Sequence, residues 1–374
     1  MSAVITPPLD LSPRVHSFNA HDFPAPTGRE EEWRFSPVAG LAPLFAFDPQ
    51  AGSVVGRGSD ALAIVPAGEL SAHWMPIDLP SAVARSGVQQ GNVITIPADA
   101  QWADPVVIDL VSTTETSYQH VEVNAGQFST ATVVLRQRLQ GDVSGAIVVN
   151  VADGAQLTVI TVLEGDLTSA YAMQMPVFVG RDAAYVGAIA TLAGGAVRIN
   201  STVDYLSTGG RAELLGAFLS ETGQHIEHRV FVTHEAPHCV SDVLYKGALM
   251  SPGARSAWIG DVLVRKDAIG TDTHQVNRNL LLSEGARADS VPNLELETGE
   301  IVRAGHASAT GRFDDEQLFY LQSRGLPLEV ARQLVVRGFF AEVLGRIGNA
   351  QWRDALLVQI SQRLGLDALD GKDD

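Results

Sequence analysis

A single cysteine, Cys239, stands in 374 residues. No disulfide can close within the chain, and no all-thiolate metal site can form from it alone. Lysine is also scarce, occurring only at Lys246, Lys266 and Lys372, and no stretch gathers basic side chains into a stripe. With 26 basic against 43 acidic residues the formal charge is −17. That balance disfavours sequence-independent binding of DNA or RNA, which depends on clustered Lys and Arg displacing phosphate counterions. No apolar run approaches the roughly 20 residues needed to span a bilayer. Met1 to Asp10 lacks the basic and apolar segments of a secretory signal. These absences predict a cytoplasmic protein with neither nucleic acid nor membrane as partner. G-x-x-x-x-G-K-[ST] and G-x-G-x-x-G runs are missing too, so the chain is not expected to hydrolyse ATP itself.

What is present is a globular composition: 45% apolar and 18% charged residues. A chain of this size can bury a large core and hold two or three structural units. Three segments differ in texture. Residues 1–90 are Pro-rich and irregular, with one helix-like acidic start at Gly28-Arg29-Glu30-Glu31-Glu32-Trp33-Arg34-Phe35. Residues 91–310 are rich in Val, Ile, Leu and Thr, in short alternating runs bounded by Gly and Asp. Residues 311–374 take on helical spacing. There, Asp314 or Asp315 can cap a first helix that Gly325 stops, and Pro327 opens a second. Gln351 to Leu364 forms a third, and the tail Asp370 to Asp374 is expected to fray.

The middle segment repeats itself. Turn phrases recur at Asn124-Ala125-Gly126, Asp153-Gly154-Ala155, Arg181-Asp182-Ala183, Gly209-Gly210-Arg211, Pro252-Gly253-Ala254 and Glu284-Gly285-Ala286. Most are separated by roughly 27 to 32 residues, a period typical of stacked repeats. A strand that cannot bury its face alone can do so against the next turn of a solenoid. The same short strands also suit an antiparallel sandwich, and spacing alone does not choose between the two.

Several residues invite a chemical reading. His225, His228, His234 and His238 lie close to Cys239, but their spacing fits no zinc template and His225 and His228 have opposite strand parity. They read as structural. The polar run from Thr271 to Asn279 reads as a side-chain ladder along a stack. Acids such as Asp261, Asp267 and Asp272 would suit a β-helical enzyme acting on carbohydrate, although no aromatic-rich groove accompanies them. A homo-oligomeric structural solenoid is a further alternative. Glu300-Ile301-Val302-Arg303-Ala304-Gly305-His306 reads as a strand that turns Val302, Ala304 and His306 to one side.

Four runs together resemble the SufB/SufD family of iron–sulfur cluster assembly scaffolds: Thr271-Asp272-Thr273-His274-Gln275-Val276-Asn277-Arg278-Asn279 with its Leu280 to Leu282 triplet, Pro292-Asn293-Leu294-Glu295-Leu296, the strand ending at His306, and Phe319-Tyr320-Leu321-Gln322-Ser323-Arg324-Gly325. The Glu-x-Trp-Arg-Phe run ending at Phe35 is similar to one near the family's N-terminus. The resemblance implies a mainly β fold: a right-handed parallel β-helix core, a small N-terminal region and a C-terminal helical domain. It implies a SufD-type scaffold without catalytic activity, paired through its β-helix with a SufB-like paralogue. Its C-terminal helices would dock a SufC-like ABC-type ATPase, with Leu318, Phe319, Tyr320, Arg324, Phe339 and Phe340 as the contact residues. His306 would be the candidate iron or cluster ligand at the SufB interface. The family often has Cys-x-His here, and Ala304 occupies the cysteine's position. The cluster is thus expected to be transient and shared with SufB, and none is expected on this chain alone.

Overall fold

The structure, a computed structural model, describes residues 15–112, 114–312 and 315–364. Three expectations fall outside that range: the signal-free start Met1 to Asp10, a cap at Asp314, and the tail Asp370 to Asp374.

The alternating segment folds as a parallel β-solenoid of about eight turns, with 47% of the chain in strands and 18% in helices. Successive strands go alternately to two sheets. The first sheet runs, in spatial order, β18 (Arg287–Leu296), β16 (Arg255–Val264), β14 (His225–His234), β12 (Ala196–Tyr205), β10 (Ala170–Val179), β8 (Asp142–Val151), β6 (Thr116–Ala125), β4 (Gln90–Ile96) and β3 (Leu62–Pro66), with β1 (Gly52–Ser53) beside β6. The second runs β19 (Arg303–Arg312), β17 (Asp272–Leu281), β15 (Val240–Leu249), β13 (Arg211–Ser220), β11 (Ala184–Thr191), β9 (Gln156–Gly165), β7 (Thr130–Leu139), β5 (Val106–Val111) and β2 (Val55–Arg57). This pairing excludes the antiparallel sandwich, because each core strand lies parallel to its neighbours two along in sequence.

The period-two pattern explains the layers. Inward residues such as Val121, Val133, Ile147, Val159, Val177 and Leu214 fill the space between the sheets. Outward residues of the second sheet, including Val134, Ile160, Leu215 and Leu244, are apolar as well. Two C-terminal helices, α4 (Leu328–Leu344) and α5 (Ala350–Arg363), cover them with Val336, Phe340, Leu356 and Ile360. A third, α3 (Asp315–Ser323), precedes them and ends before Gly325, whose φ is +91°. The outer face of the first sheet is covered in part by the N-terminal segment, which carries α1 (Val38–Leu41) and α2 (Leu79–Gly87) and packs Trp33, Leu41 and Leu44 on Ala170, Ala172 and Ala196.

At the edge where the first sheet hands over to the second, a left-handed residue recurs: Asp99, Phe128, Gly154, Asp182, Gly209, His238 and Gly270 all have positive φ. Phe128, Asp182 and His238 carry side chains in a conformation that favours glycine. Each meets a glycine one turn later. A Cβ on Gly270 would lie 2.3 Å from His238 Nδ1.

The two ends of the solenoid differ. At the N-terminal end β2 and β3 pair antiparallel with β5 and β4 and interrupt the stack. At the other end β18 pairs only with β16, and β19 only with β17. No helix among the described residues is long and apolar enough to cross a membrane.

Candidate functional site

The open end is where the interior changes character. Each rung of the second sheet sends alternate side chains inward, and four columns can be followed along the stack. Leu214, Val243, Gln275 and His306 are successive partners in one of them. Ala212, Ser241, Thr273 and Ala304 form the next, Gly216, Tyr245, Asn277 and Ser308 the third, and Phe218, Gly247, Asn279 and Thr310 the fourth. Small or apolar groups give way to amides, hydroxyls and an imidazole over the last two rungs.

Thr273, Gln275, Asn277 and Asn279 of the polar run therefore point into the solenoid, while Val276 and Arg278 face the helical layer outside it. Gln275 Nε2 donates to the Asn293 carbonyl oxygen at 2.6 Å, crossing to the other sheet. Asn279 Nδ2 donates to Asn277 Oδ1 at 2.7 Å, and the Thr273 and Ser241 hydroxyls lie 2.7 Å apart across two rungs. The ladder satisfies strand backbone and neighbouring side chains, and at its start Thr271 donates to the turn carbonyl of Ala268 at 2.8 Å. It is incomplete: Gln275 Oε1 and Asn279 Oδ1 are buried without a hydrogen-bond partner. A polar group buried in this way costs free energy unless something else answers it.

His306 stands on β19 in register with Gln275 and is exposed. It occupies the side of the sheet that faces inward further back, because parallel partners share a face. Ala304, half-buried, sits in the same row two residues earlier. Arg303 anchors the strand through an ion pair with Asp272 at 3.0 Å. Among the described residues no three His, Cys, Asp or Glu side chains come together as a metal site. One imidazole on a strand with one open edge can offer one ligand to a centre completed from elsewhere.

Two of the other histidines are held in the core. His228 and His234 point into the core from β14. His228 lies between Phe218 and Tyr245, and its Nε2 is 3.2 Å from the Thr191 hydroxyl. His234 stacks on Tyr205 and bonds Ser241 at 2.9 Å. Burial pushes His228 down to about 3 and His234 down to about 4, so both are neutral. His238 belongs to the edge stack, and Cys239 is buried, its thiol pushed up by the same desolvation.

The expected contact residues of the C-terminal helices separate into two sets. Phe340 is fully buried against the second sheet, Leu318 is buried, and Phe339 is half-buried beneath the Lys246 ammonium. Phe319 and Tyr320 are 73% and 57% exposed, and Arg324 lies over the Tyr320 ring at 5.2 Å. The helices bury Phe340 because the sheet beneath them offers an apolar outer face.

Two charged clusters went unread in the sequence. Lys246, on β15, is 2% exposed and donates to the Phe339 carbonyl oxygen at 2.8 Å and to the Glu342 carboxylate. Burial pulls its pKa down, opposed by Glu342. Arg198, on β12, donates to Glu227 at 2.7 Å and Ser36 Oγ at 2.7 Å, approaches Asp78 at 3.4 Å, and lies over the Trp33 ring at 4.0 Å. The Trp33 run is thereby fixed to the solenoid.

A parallel solenoid with a polar, uncapped end and helices laid along one sheet is the class of fold that these residues build. Residues 108–339 match the family model described as SUF system FeS cluster assembly, SufBD core domain. An iron–sulfur cluster assembly SufBD family protein of Mycobacterium leprae is 40% identical over 371 residues, covering 93% of each chain. One from Mycobacterium tuberculosis is 41% identical over 368 residues, covering 93% of this chain and 91% of that one. The iron–sulfur cluster assembly protein SufD of Escherichia coli is 25% identical over 385 residues, with 91% and 89% covered. The chain belongs to the SufBD family of iron–sulfur cluster assembly proteins.

Proposed function

We propose that this chain is the SufD-type subunit of an iron–sulfur assembly scaffold and has no catalytic activity of its own. In this reading β18 and β19 pair edge to edge with the matching strands of a SufB-like paralogue. The observation that carries it is the uncapped end: two ten-residue strands with unpaired outer edges, over an interior that turns polar where His306 stands. An exposed strand edge is a template for another chain. A polar interior at that edge suits a joint that admits ions better than one sealed by apolar packing.

His306 then supplies one ligand to a transient cluster whose thiolates come from the paralogue, since Ala304 brings none. Phe319, Tyr320 and Arg324 form the exposed part of a docking surface for a SufC-like ABC-type ATPase, backed by Leu318, Phe339 and Phe340. The Lys246 contact links that helical layer to β15, two strands from His306, and offers a path for strain from nucleotide-driven movement. A single buried thiol suits a reducing, cytoplasmic setting. The distant resemblance to SufD and the missing cysteine at position 304 support this role over a SufB-like one.

The test is reconstitution of the three-subunit complex with His306→Ala. Assembly should be intact by gel filtration while the yield of cluster, read from its visible absorbance and bound iron, falls several-fold. Unchanged yield removes His306 from the site; failure of the wild-type chain to join the paralogue removes the whole reading.

A further inference from the structure

The outer face of the first sheet carries a second concave feature, which reaches the terminal strand β18 on the side turned away from the solenoid interior. A cavity of about 520 Å³ lies between the segment from His73 to Ile77 and strands β10, β12, β14, β16 and β18. Its volume falls within the roughly 300–1,000 Å³ of small-molecule sites. Trp74, Phe178 and Phe231 contribute aromatic walls. Asp204, Glu235 and Glu295 contribute carboxylates.

These acids outnumber the cations near them. Arg265 also lines the cavity, but it donates to Glu297 at 2.9 Å. Two histidines line it as well, His16 and His73, and His73 is bonded to Asn150 at 2.8 Å. Burial, reinforced by the negative charge of Glu235, pushes the Asp204 carboxyl up to about 6. Two buried polar atoms of the lining have no hydrogen-bond partner: Glu295 Oε2 and the indole Nε1 of Trp74, a residue only 3% exposed. A buried acceptor and a buried donor left open in one cavity call for a partner from outside the chain. An excess of carboxylates against aromatic rings specifies its charge, because both attract a cation and the rings favour one with an apolar body. No three acidic, His or Cys side chains among the described residues are grouped to hold a metal ion.

We propose that this cavity binds a small organic cation, an ammonium or guanidinium compound with an apolar body, between the aromatic walls and the carboxylates Asp204, Glu235 and Glu295. The cationic head answers the acids, and the apolar body packs against the aromatic walls. The site shares strand β18 with the open end but lies on the outer face of the sheet, and it does not depend on the cluster.

Calorimetric titration of the full-length chain at constant ionic strength tests it, with benzylamine and agmatine as probes and benzyl alcohol as the uncharged counterpart of benzylamine. One saturable site is expected for at least one amine, with no binding of the alcohol. Asp204→Asn and Glu235→Gln should each weaken that binding about tenfold or more, while Asp60→Asn, an exposed acid outside the cavity, should leave it unchanged. Near-isosteric replacement keeps the variants folded, which their unfolding midpoints will check. Failure of both amines to saturate, equal binding of the alcohol, or equal loss in all three variants overturns the proposal.

Discussion

Lys246 of β15 holds the carbonyl oxygen of Phe339 in α4 at 2.8 Å, so a buried ammonium in the sheet hydrogen-bonds the backbone of the helix laid over it. The same ammonium lies 4.5 Å from the Phe339 ring centre and pairs with Glu342, which Arg278 also reaches at 3.3 Å. This cluster ties the helical layer to the solenoid by direction, where apolar packing alone would allow sliding. Lys246→Ala should leave the Phe339 carbonyl without its donor and lower stability by about 1–3 kcal/mol. Urea unfolding of the two proteins measures the difference, and Lys246→Met should recover the packing but not the hydrogen bond.

Arg198 serves the N-terminal segment in a comparable way. Its partner Glu227 is fully buried, so Arg198→Met leaves that carboxylate only the more distant Arg229, at 3.6 Å. Removing one member of a buried pair typically costs about 3–5 kcal/mol. The expected signs are a matching drop in unfolding free energy and faster proteolytic release of the segment containing Trp33. An Arg198→Met, Glu227→Gln double variant should recover part of the loss.

Stability should fall as the solution is acidified below neutrality. His228 and His234 titrate at about 3 and about 4 in the folded chain, depressed by burial. In the unfolded chain they titrate near the ordinary value of about 6.5. Between those limits the unfolded state binds the extra protons, so unfolding is favoured as pH drops. The loss at pH 5 is about 2 kcal/mol per imidazole. Asp204, raised to about 6, acts in the opposite sense below that pH and offsets part of it. Urea midpoints at pH 7 and pH 5 measure the net fall, and His228→Phe should make it distinctly shallower.

The edge stack predicts a coupled pair. Gly270 has φ +71°, and a Cβ there would meet the His238 ring. Gly270→Ala should cost about 1–3 kcal/mol, as strained backbone positions do. His238→Ala in the same chain removes the collision and leaves the backbone strain. A double-mutant cycle should show coupling of about 1 kcal/mol between the two positions.

The exposed aromatics separate docking from folding. Phe319→Glu and Tyr320→Glu alter side chains that bury little within the chain, so unfolding free energy should stay within about 0.5 kcal/mol of the parent. Co-elution with the ATPase subunit should be lost. Retention of the complex by the double variant would place the contact elsewhere on the helices.

Legibility from sequence varied with the range of the interaction. The turn phrases around Gly154, Gly209, Gly253 and Gly285 fall where the backbone takes positive φ, a local signal that the sequence displays directly. Phe128, Asp182 and His238 fill equivalent turns without glycine, because a glycine one rung away makes room for their side chains. No local pattern announces that. The Thr273 to Asn279 run was readable as a ladder, but period two does not say which phase faces inward. Its direction is set by Ser241, Val243 and Tyr245 on the preceding rung. Lys246 meets its helix across 93 residues of chain, and Arg198 meets Ser36 across 162, distances over which spacing carries no information. Phe340 faces inward for a reason outside its own helix, the apolar outer row of the second sheet.

The unlike ends of the solenoid also limit how many copies can be strung together. Short antiparallel β2 and β3 end the other terminus, which therefore lacks the pair of ten-residue parallel strands that β18 and β19 present. A head-to-tail contact would set unlike strands against each other, whereas a contact between two open ends is complete with two bodies meeting face to face.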